Sequence, residues 1–256
     1  MKRFYVALFA GALLIAGCKG EVGTPVVTAK AVNNGADLDL SWGAVENAST
    51  YKIYGDDSLI AEIDSTHFVL KGSDGVFKTV TVEAVGGGKA PIDLTPYEKD
   101  LGTIYTHDDP DSTHHSWVKV YLKGDSTEAT TTNQAGVDPT LDNTAYFVFY
   151  NNSGTLQFKD ISKTSLGSGK VHTYFADPGS VMGLAPNSSD SYGDMKDVSG
   201  NSEYYLWFDR DLDGDISTNS CFGLVKVGPT NGTGPYNTTV TIYVQNKVSG
   251  LGWIKY

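Results

Sequence analysis

The densest set of metal-type ligands in the chain is Asp209-Arg210-Asp211-Leu212-Asp213-Gly214-Asp215-Ile216, directly after the strand-like run 204–208. A hard cation such as Ca²⁺ takes six to eight oxygens at short range, and carboxylates on alternate residues of a tight loop supply them. Asp209, Asp211 and Asp213 are the expected side-chain ligands, with Asp215 binding through its carbonyl or its side chain. Gly214 permits the sharp turn, and Ile216 can tie the loop to a core. Four like charges this close repel one another without a cation. The bland alternative is a solvated acidic turn.

Three of the five histidines sit in a second cluster, His107-Asp108-Asp109-Pro110-Asp111-Ser112-Thr113-His114-His115. Imidazole with carboxylate suits Zn²⁺ or another transition metal, which makes His107, His114 and His115 a secondary metal set. Their spacing matches no HExxH-type signature and no cysteine assists, so a solvated loop is favoured. Aromatic residues form a third group. If Val118, Val120 and Leu122 point inward, Trp117, Lys119 and Tyr121 share the other face; Tyr205 and Trp207 likewise oppose Tyr204, Leu206 and Phe208. Such a row beside carboxylates can stack on sugar rings. The favoured alternative is that long loops cover that face.

Several enzyme motifs fail on context. Ser49-Thr50-Tyr51-Lys52 spells SxxK, but on a strand residues three apart point to opposite faces. Gly86-Gly87-Gly88-Lys89 leads to Ala90 and no helical pattern, so it is no phosphate loop. No GxSxG elbow occurs. His67 and His172 each stand alone and read as structural.

The elements that must hold these residues are strands. Short β-branched and aromatic runs of period 2 recur between Gly, Asn, Asp and Ser clusters, and the 29 glycines and 15 tyrosines fit that pattern. The expected class is all-β, with one module over residues 24–95 and a second, larger β-sandwich over 96–256 joined near 91–102. In the first module Leu38, Leu40 and Trp42 share a face, as do Tyr51 and Ile53, and Val80, Val82 and Ala84. Pro25, Leu40-Ser41-Trp42, Tyr51-Lys52-Ile53-Tyr54 and Val80-Thr81-Val82-Glu83-Ala84-Val85 together resemble the fibronectin type III family. That resemblance implies a spacer or binding module and no chemistry. It departs before the sixth strand, where Phe77 and Lys78 replace the expected Tyr.

The second half resembles no family. Its strand candidates are 117–122, 145–150, 155–161, 171–175, 204–208, 222–227, 238–245 and 253–256, with polar loops at 124–143, 186–202 and 228–237. The acidic loop matches the first three ligands of an EF-hand. It has Ser220 at the twelfth position and no flanking helices, so it more nearly resembles the DxDxDG calcium loops of extracellular β proteins.

Residues 1–20 read as an export signal: Lys2 and Arg3, then an apolar stretch from Phe4 to Ile15 too short to span a bilayer. Ile15-Ala16-Gly17-Cys18 resembles the lipobox of bacterial lipoproteins. The resemblance implies cleavage after residue 17, diacylglyceryl and acyl groups (palmitate among them) on Cys18, and a tether over 18–23. Lys19, in place of an Asp retention signal, favours the outer membrane. Each buried methylene of such chains contributes roughly 0.8 kcal/mol, so the membrane is held by lipid and not by a basic patch.

Charge and cysteine content bound the remaining classes. The 256 residues carry 19 basic and 30 acidic side chains, net −11. Removing residues 1–17 takes Lys2 and Arg3 and no acid, leaving −13. Such a chain is no nucleic-acid binder, since phosphate recognition needs basic surface. With Cys18 acylated, Cys221 is the remaining thiol, so no intramolecular disulfide forms. The expected function is a lipid-anchored, non-catalytic binding, adhesion or assembly module whose partner is a glycan or another envelope protein. The alternative is a glycoside hydrolase or lyase on the second sandwich, marked by two carboxyls about 5–9 Å apart across a cleft. A weaker reading is a fibre or layer subunit assembled through Cys221 or an edge strand.

Overall fold

The computed structural model describes residues 20–167 and 169–256; Cys18 lies outside them. The described residues are all-β, with five single-turn 3₁₀ segments and no helix long and apolar enough to cross a membrane.

The first seven strands are β1 (Val27–Val32), β2 (Asp37–Trp42), β3 (Tyr51–Gly55), β4 (Ser58–Ile63), β5 (His67–Lys71), β6 (Thr79–Ala84) and β7 (Lys89–Asp93). They pair antiparallel into two sheets, β1-β2-β5 and β4-β3-β6-β7. Alternation along β2, β3 and β6 buries the residues it predicts: Leu38, Leu40, Trp42, Tyr51, Ile53, Val80, Val82 and Ala84 form the core between the sheets. Trp42 meets Tyr51 edge-on at 5.3 Å, and the Tyr51 hydroxyl accepts from the Val45 amide at 2.9 Å. Sequence patterning misses β4 and β7. Both are edge strands, largely or alternately open to solvent, so neither carries a clean apolar face.

Ten strands build the second sandwich: β8 (Tyr97–Tyr105), β9 (Trp117–Tyr121), β10 (Glu128–Thr132), β11 (Thr144–Asn152), β12 (Thr155–Asp160), β13 (His172–Ala176), β14 (Met195–Asp197), β15 (Ser202–Asp209), β16 (Cys221–Val227) and β17 (Asn237–Val244). Their sheets run β10-β9-β11-β12-β14 and β13-β15-β16-β17-β8. Between them lie Val118, Val120, Phe147, Phe149, Phe158, Leu206, Phe208 and Val225.

Three expectations need correction. Half of the anticipated join is strand β8, which pairs with β17 while exposing Glu98, Lys99 and Asp100, and the first three residues of the join end β7. The link proper is the three residues between β7 and β8. Strand β10 runs through an anticipated loop, for its Glu-Ala-Thr-Thr-Thr sequence buries fully only Ala129. Residues 253–256 are no strand; Trp253 makes one isolated bridge, to Leu184.

That C-terminal tail packs into the first sandwich. Trp253 is fully buried in the same cluster as Leu38, Leu40 and Trp42, accompanied by Leu251. Its indole Nε1 donates to the Ala36 carbonyl at 2.8 Å, and its ring meets Phe77 edge-on at 6.0 Å. Phe77 thus stands where the expected corner Tyr is absent. Buried Gln245 donates to the carbonyls of Leu94 and Trp253, at 3.0 and 2.8 Å, tying the link to the tail. Gly72 leaves the room the indole needs: a Cβ there would lie 2.3 Å from the Ala36 oxygen and 2.8 Å from Trp253 Nε1.

Candidate functional site

Strand β15 ends by burying Asp209, and the chain then turns sharply, with Leu212 at φ 60 and Gly214 at φ 77. Both are left-handed conformations, which Gly adopts freely and Leu at a cost. The turn aims two backbone amides at the Asp209 carboxylate: Leu212 donates to Oδ1 at 2.9 Å and Gly214 to Oδ2 at 3.1 Å. Asp211 accepts from Ser217 Oγ at 3.2 Å and Asn219 Nδ2 at 3.3 Å. Carboxylate oxygens of Asp209, Asp211 and Asp213 lie within 4.8 Å of one another, the one such grouping of three His, Cys, Asp or Glu among the described residues. The Asp215 carboxylate does not join them; its amide donates to Asp213 Oδ1 at 2.9 Å.

Electrostatics separates the two inner carboxyls. Burial, reinforced by Asp211, pushes Asp209 above its ordinary value against the pull of the Gly214 and Leu212 amides. For Asp211 burial pushes up too, but hydrogen bonds from Asn219, Asp209 and Ser217 outweigh it and hold the carboxyl low. The two carboxyls are thus pushed in opposite directions, and a divalent ion would favour the ionised form of both.

Ser220, at the position of the missing bidentate ligand, has another task. Its Oγ accepts from Trp207 Nε1 and from the Ser217 amide, each at 3.0 Å. The far end of the loop is thereby pinned to the strand that carries Asp209. Sequence reading missed this role, because nothing in the spacing links Ser220 to Trp207. His172, read as structural from its isolation in the sequence, stands opposite Asp209 in the β13–β15 register. Its Nδ1 lies 3.5 Å from the Tyr174 hydroxyl, while Nε2 is buried without a partner among the described residues.

The three clustered histidines are dispersed and form no ligand set. His107 stacks on Tyr150 at 3.6 Å, and His114 stacks on Tyr105 at 3.6 Å with Nδ1 2.9 Å from Asp109 Oδ2. His115 Nδ1 lies 3.0 Å from Thr131 Oγ1. Each ring thus has its own partner, and the three do not gather with neighbouring carboxylates into a grouping like that of the acidic loop among the described residues.

The aromatic row is mostly roofed. Trp117 is buried with Tyr146, Val148 and Ile161 beneath Val137 and Leu166. Tyr205 and Trp207 are buried with Ala185, Phe222, Leu224 and Ile254; Tyr174 stacks on Trp207 at 4.7 Å and Tyr192 meets it edge-on at 5.7 Å. The alternation is as expected, but loops and the C-terminal tail cover the outer faces, so Trp117, Tyr205 and Trp207 present no stacking surface. Tyr121 alone of the four stays half-open, in a cleft with Lys119, Glu128 and Leu141. Cys221 donates from Sγ to the Gln245 carbonyl at 3.3 Å, and burial pushes its thiol up to about 12 despite nearby Arg210. It stays protonated at neutral pH and is no nucleophile.

No model of a known protein family matches the chain, and neither does any curated protein.

Proposed function

We propose that this chain is a bacterial envelope lipoprotein, held by acyl groups on Cys18 at the outer membrane. Its two sandwiches form one rigid, non-catalytic arm that carries a binding surface and a structural Ca²⁺ loop. The first sandwich acts as spacer, and its three-plus-four strand arrangement supports the fibronectin type III resemblance. The observation that carries the reading is the Trp253 anchor, since a tail from the second sandwich buried in the core of the first holds the two as a single body. A rigid arm suits presentation of a surface at a set distance from a membrane.

The Ca²⁺ assignment draws on the Asp209, Asp211 and Asp213 carboxylates and on the amides that preset Asp209. The ion would neutralise their repulsion and close the loop between β15 and β16. Because carboxylate ligands must be ionised to bind it, its affinity falls as the pH drops.

Two measurements test the reading. Mass spectrometry of the envelope fraction should find a mature N-terminus at an acylated Cys18, and Cys18→Ser should move the chain out of the membrane fraction. Recovery of unprocessed Met1 on cytosolic material refutes the anchor.

A further inference from the structure

We propose that the cleft around Tyr121 binds a neutral saccharide of one or two rings, a site that deepens the binding-module reading and rests on it. The register across β10, β9 and β11 sets Glu128, Tyr121 and Thr144 in one row and Thr130, Lys119 and Tyr146 in the next. All face away from the core. At the Trp117 end of this face the roof of Val137 and Leu166 is closed. At the Tyr121 end it stops, leaving a cavity of about 330 Å³ lined by Lys119, Tyr121, Glu128, Thr130, Leu141 and Asp142.

Tyr121 is half-buried, and Leu141 is 38% exposed at the mouth. The Tyr121 hydroxyl and the carboxylates of Glu128 and Asp142 engage no other group among the described residues. A pyranose ring pairs an apolar C–H face with hydroxyls around its rim. An aromatic and an aliphatic wall edged by free acceptors is complementary to that distribution. Within the cleft two carboxylates outnumber the single Lys119, on a chain of net −11. An acidic sugar is therefore repelled and a neutral hexose or N-acetylhexosamine accepted. The volume sits at the low end of the roughly 300–1,000 Å³ of small-molecule sites, which limits the occupant to one or two rings.

Other cavities serve less well. In the one lined by His107, Trp117 and Tyr150, the Tyr150 ring is already covered by His107 and by Lys159 Nζ, each at 3.6 Å. The groove between the sandwiches, lined by Asp37, Val181, Leu184 and Pro186, offers no aromatic platform.

The test titrates the full mature chain, in saturating Ca²⁺, with oligosaccharides of glucose, xylose and N-acetylglucosamine and with oligogalacturonate as the acidic arm. Calorimetry should find a neutral oligomer binding, with Tyr121→Ala weakening it about tenfold and Tyr121→Phe keeping most of the affinity. Glu128→Gln should weaken it several-fold, while the melting temperature of each variant stays near that of the parent. Three results overturn the proposal: no neutral oligomer binds, Tyr121→Ala binds as the parent does, or oligogalacturonate binds more tightly than any neutral oligomer. Cleavage of an oligomer, abolished by Glu128→Gln, overturns it too by replacing binding with hydrolysis. If no sugar binds but the acylated chain still captures a defined envelope protein, the module reading survives and only the cleft assignment falls.

Discussion

The first sandwich completes its core with a tryptophan carried some 160 residues further along the chain, whereas the second closes its core with strands of its own. Size explains the contrast. A two-sheet body of seven short strands encloses little apolar volume, and small domains bury too small a share of their surface to be robust alone. The ten-strand body has an inner core and also two roofed outer faces, around Trp207 and around Trp117. Where the chain divides into modules and where its packing divides are therefore different places.

The contrast breaks most sharply at Trp253. Trp253→Ala should cost about 3–5 kcal/mol. Segment-resolved hydrogen exchange should show the loss in β2, β3 and β6, with the second sandwich little changed. Equal loss in both bodies would mean that the tail supports them alike.

Calcium should act on the other body. Adding it at about a hundred times its dissociation constant stabilises the native state by about 2.7 kcal/mol, with the gain in exchange protection centred on β15 and β16. Asp211→Ala with Asp213→Ala should remove the shift; an unchanged shift would put the ion elsewhere. Next in size is Gly72→Ala, whose new methyl would press on the Ala36 carbonyl and the Trp253 indole. Overpacking of this kind costs about 1–3 kcal/mol, and a denaturant titration should find it in the first sandwich. Comparable in size is Ser220→Ala, which strands the buried Trp207 Nε1 at about 1–3 kcal/mol and should weaken only the second body.

Acid gives the smallest effect, and Asp56 in the first body and Asp160 in the second respond to it with opposite sign. Burial pushes Asp56 up, but Lys255 and the amides of Thr79 and Lys78 outweigh it and hold the carboxyl below its ordinary 3.8. Its contribution is complete above that value and is lost as the pH falls through the lower folded one. Asp160, buried and accepting from Thr173 N at 2.7 Å, is held above 3.8 chiefly by burial. Ionising it therefore opposes folding, and that penalty is relieved as the pH falls through its raised value. Lowering the pH should thus loosen the tail latch on the first sandwich while sparing the Asp160 region. Lys255→Ala, which breaks a partly exposed pair at 2.6 Å, should cost at most about 1 kcal/mol and flatten the acid response of the first body.

Alternation made the central strands legible: β2, β3 and β6 bury alternate side chains as their residues foretell, whereas β15 buries both of its faces from Tyr204 to Asp209. Edge strands escaped. In β4, β8 and β10 solvent reaches both faces or the residues are Thr, Glu and Lys, so no apolar period remains to be read. The acidic loop is legible because its carboxylates are local, each two residues from the next. The histidine set shows the converse: nearness along the chain left the ring directions free, and each ring has its own tyrosine or hydroxyl.

What residue order alone determined is whatever depends on neighbours within a few positions: the strand class, the inward faces of central strands, the acidic turn and the acidic net charge. Tertiary structure decided which outward faces stay open, since a strand cannot encode whether a distant loop will roof it. It also decided the fate of Trp253, whose Trp-Ile-Lys-Tyr context reads as a strand. The vacant volume beside Phe77 and Gly72 exists only once two sheets have closed around it, and an indole arriving from the far end of the chain is what fills it.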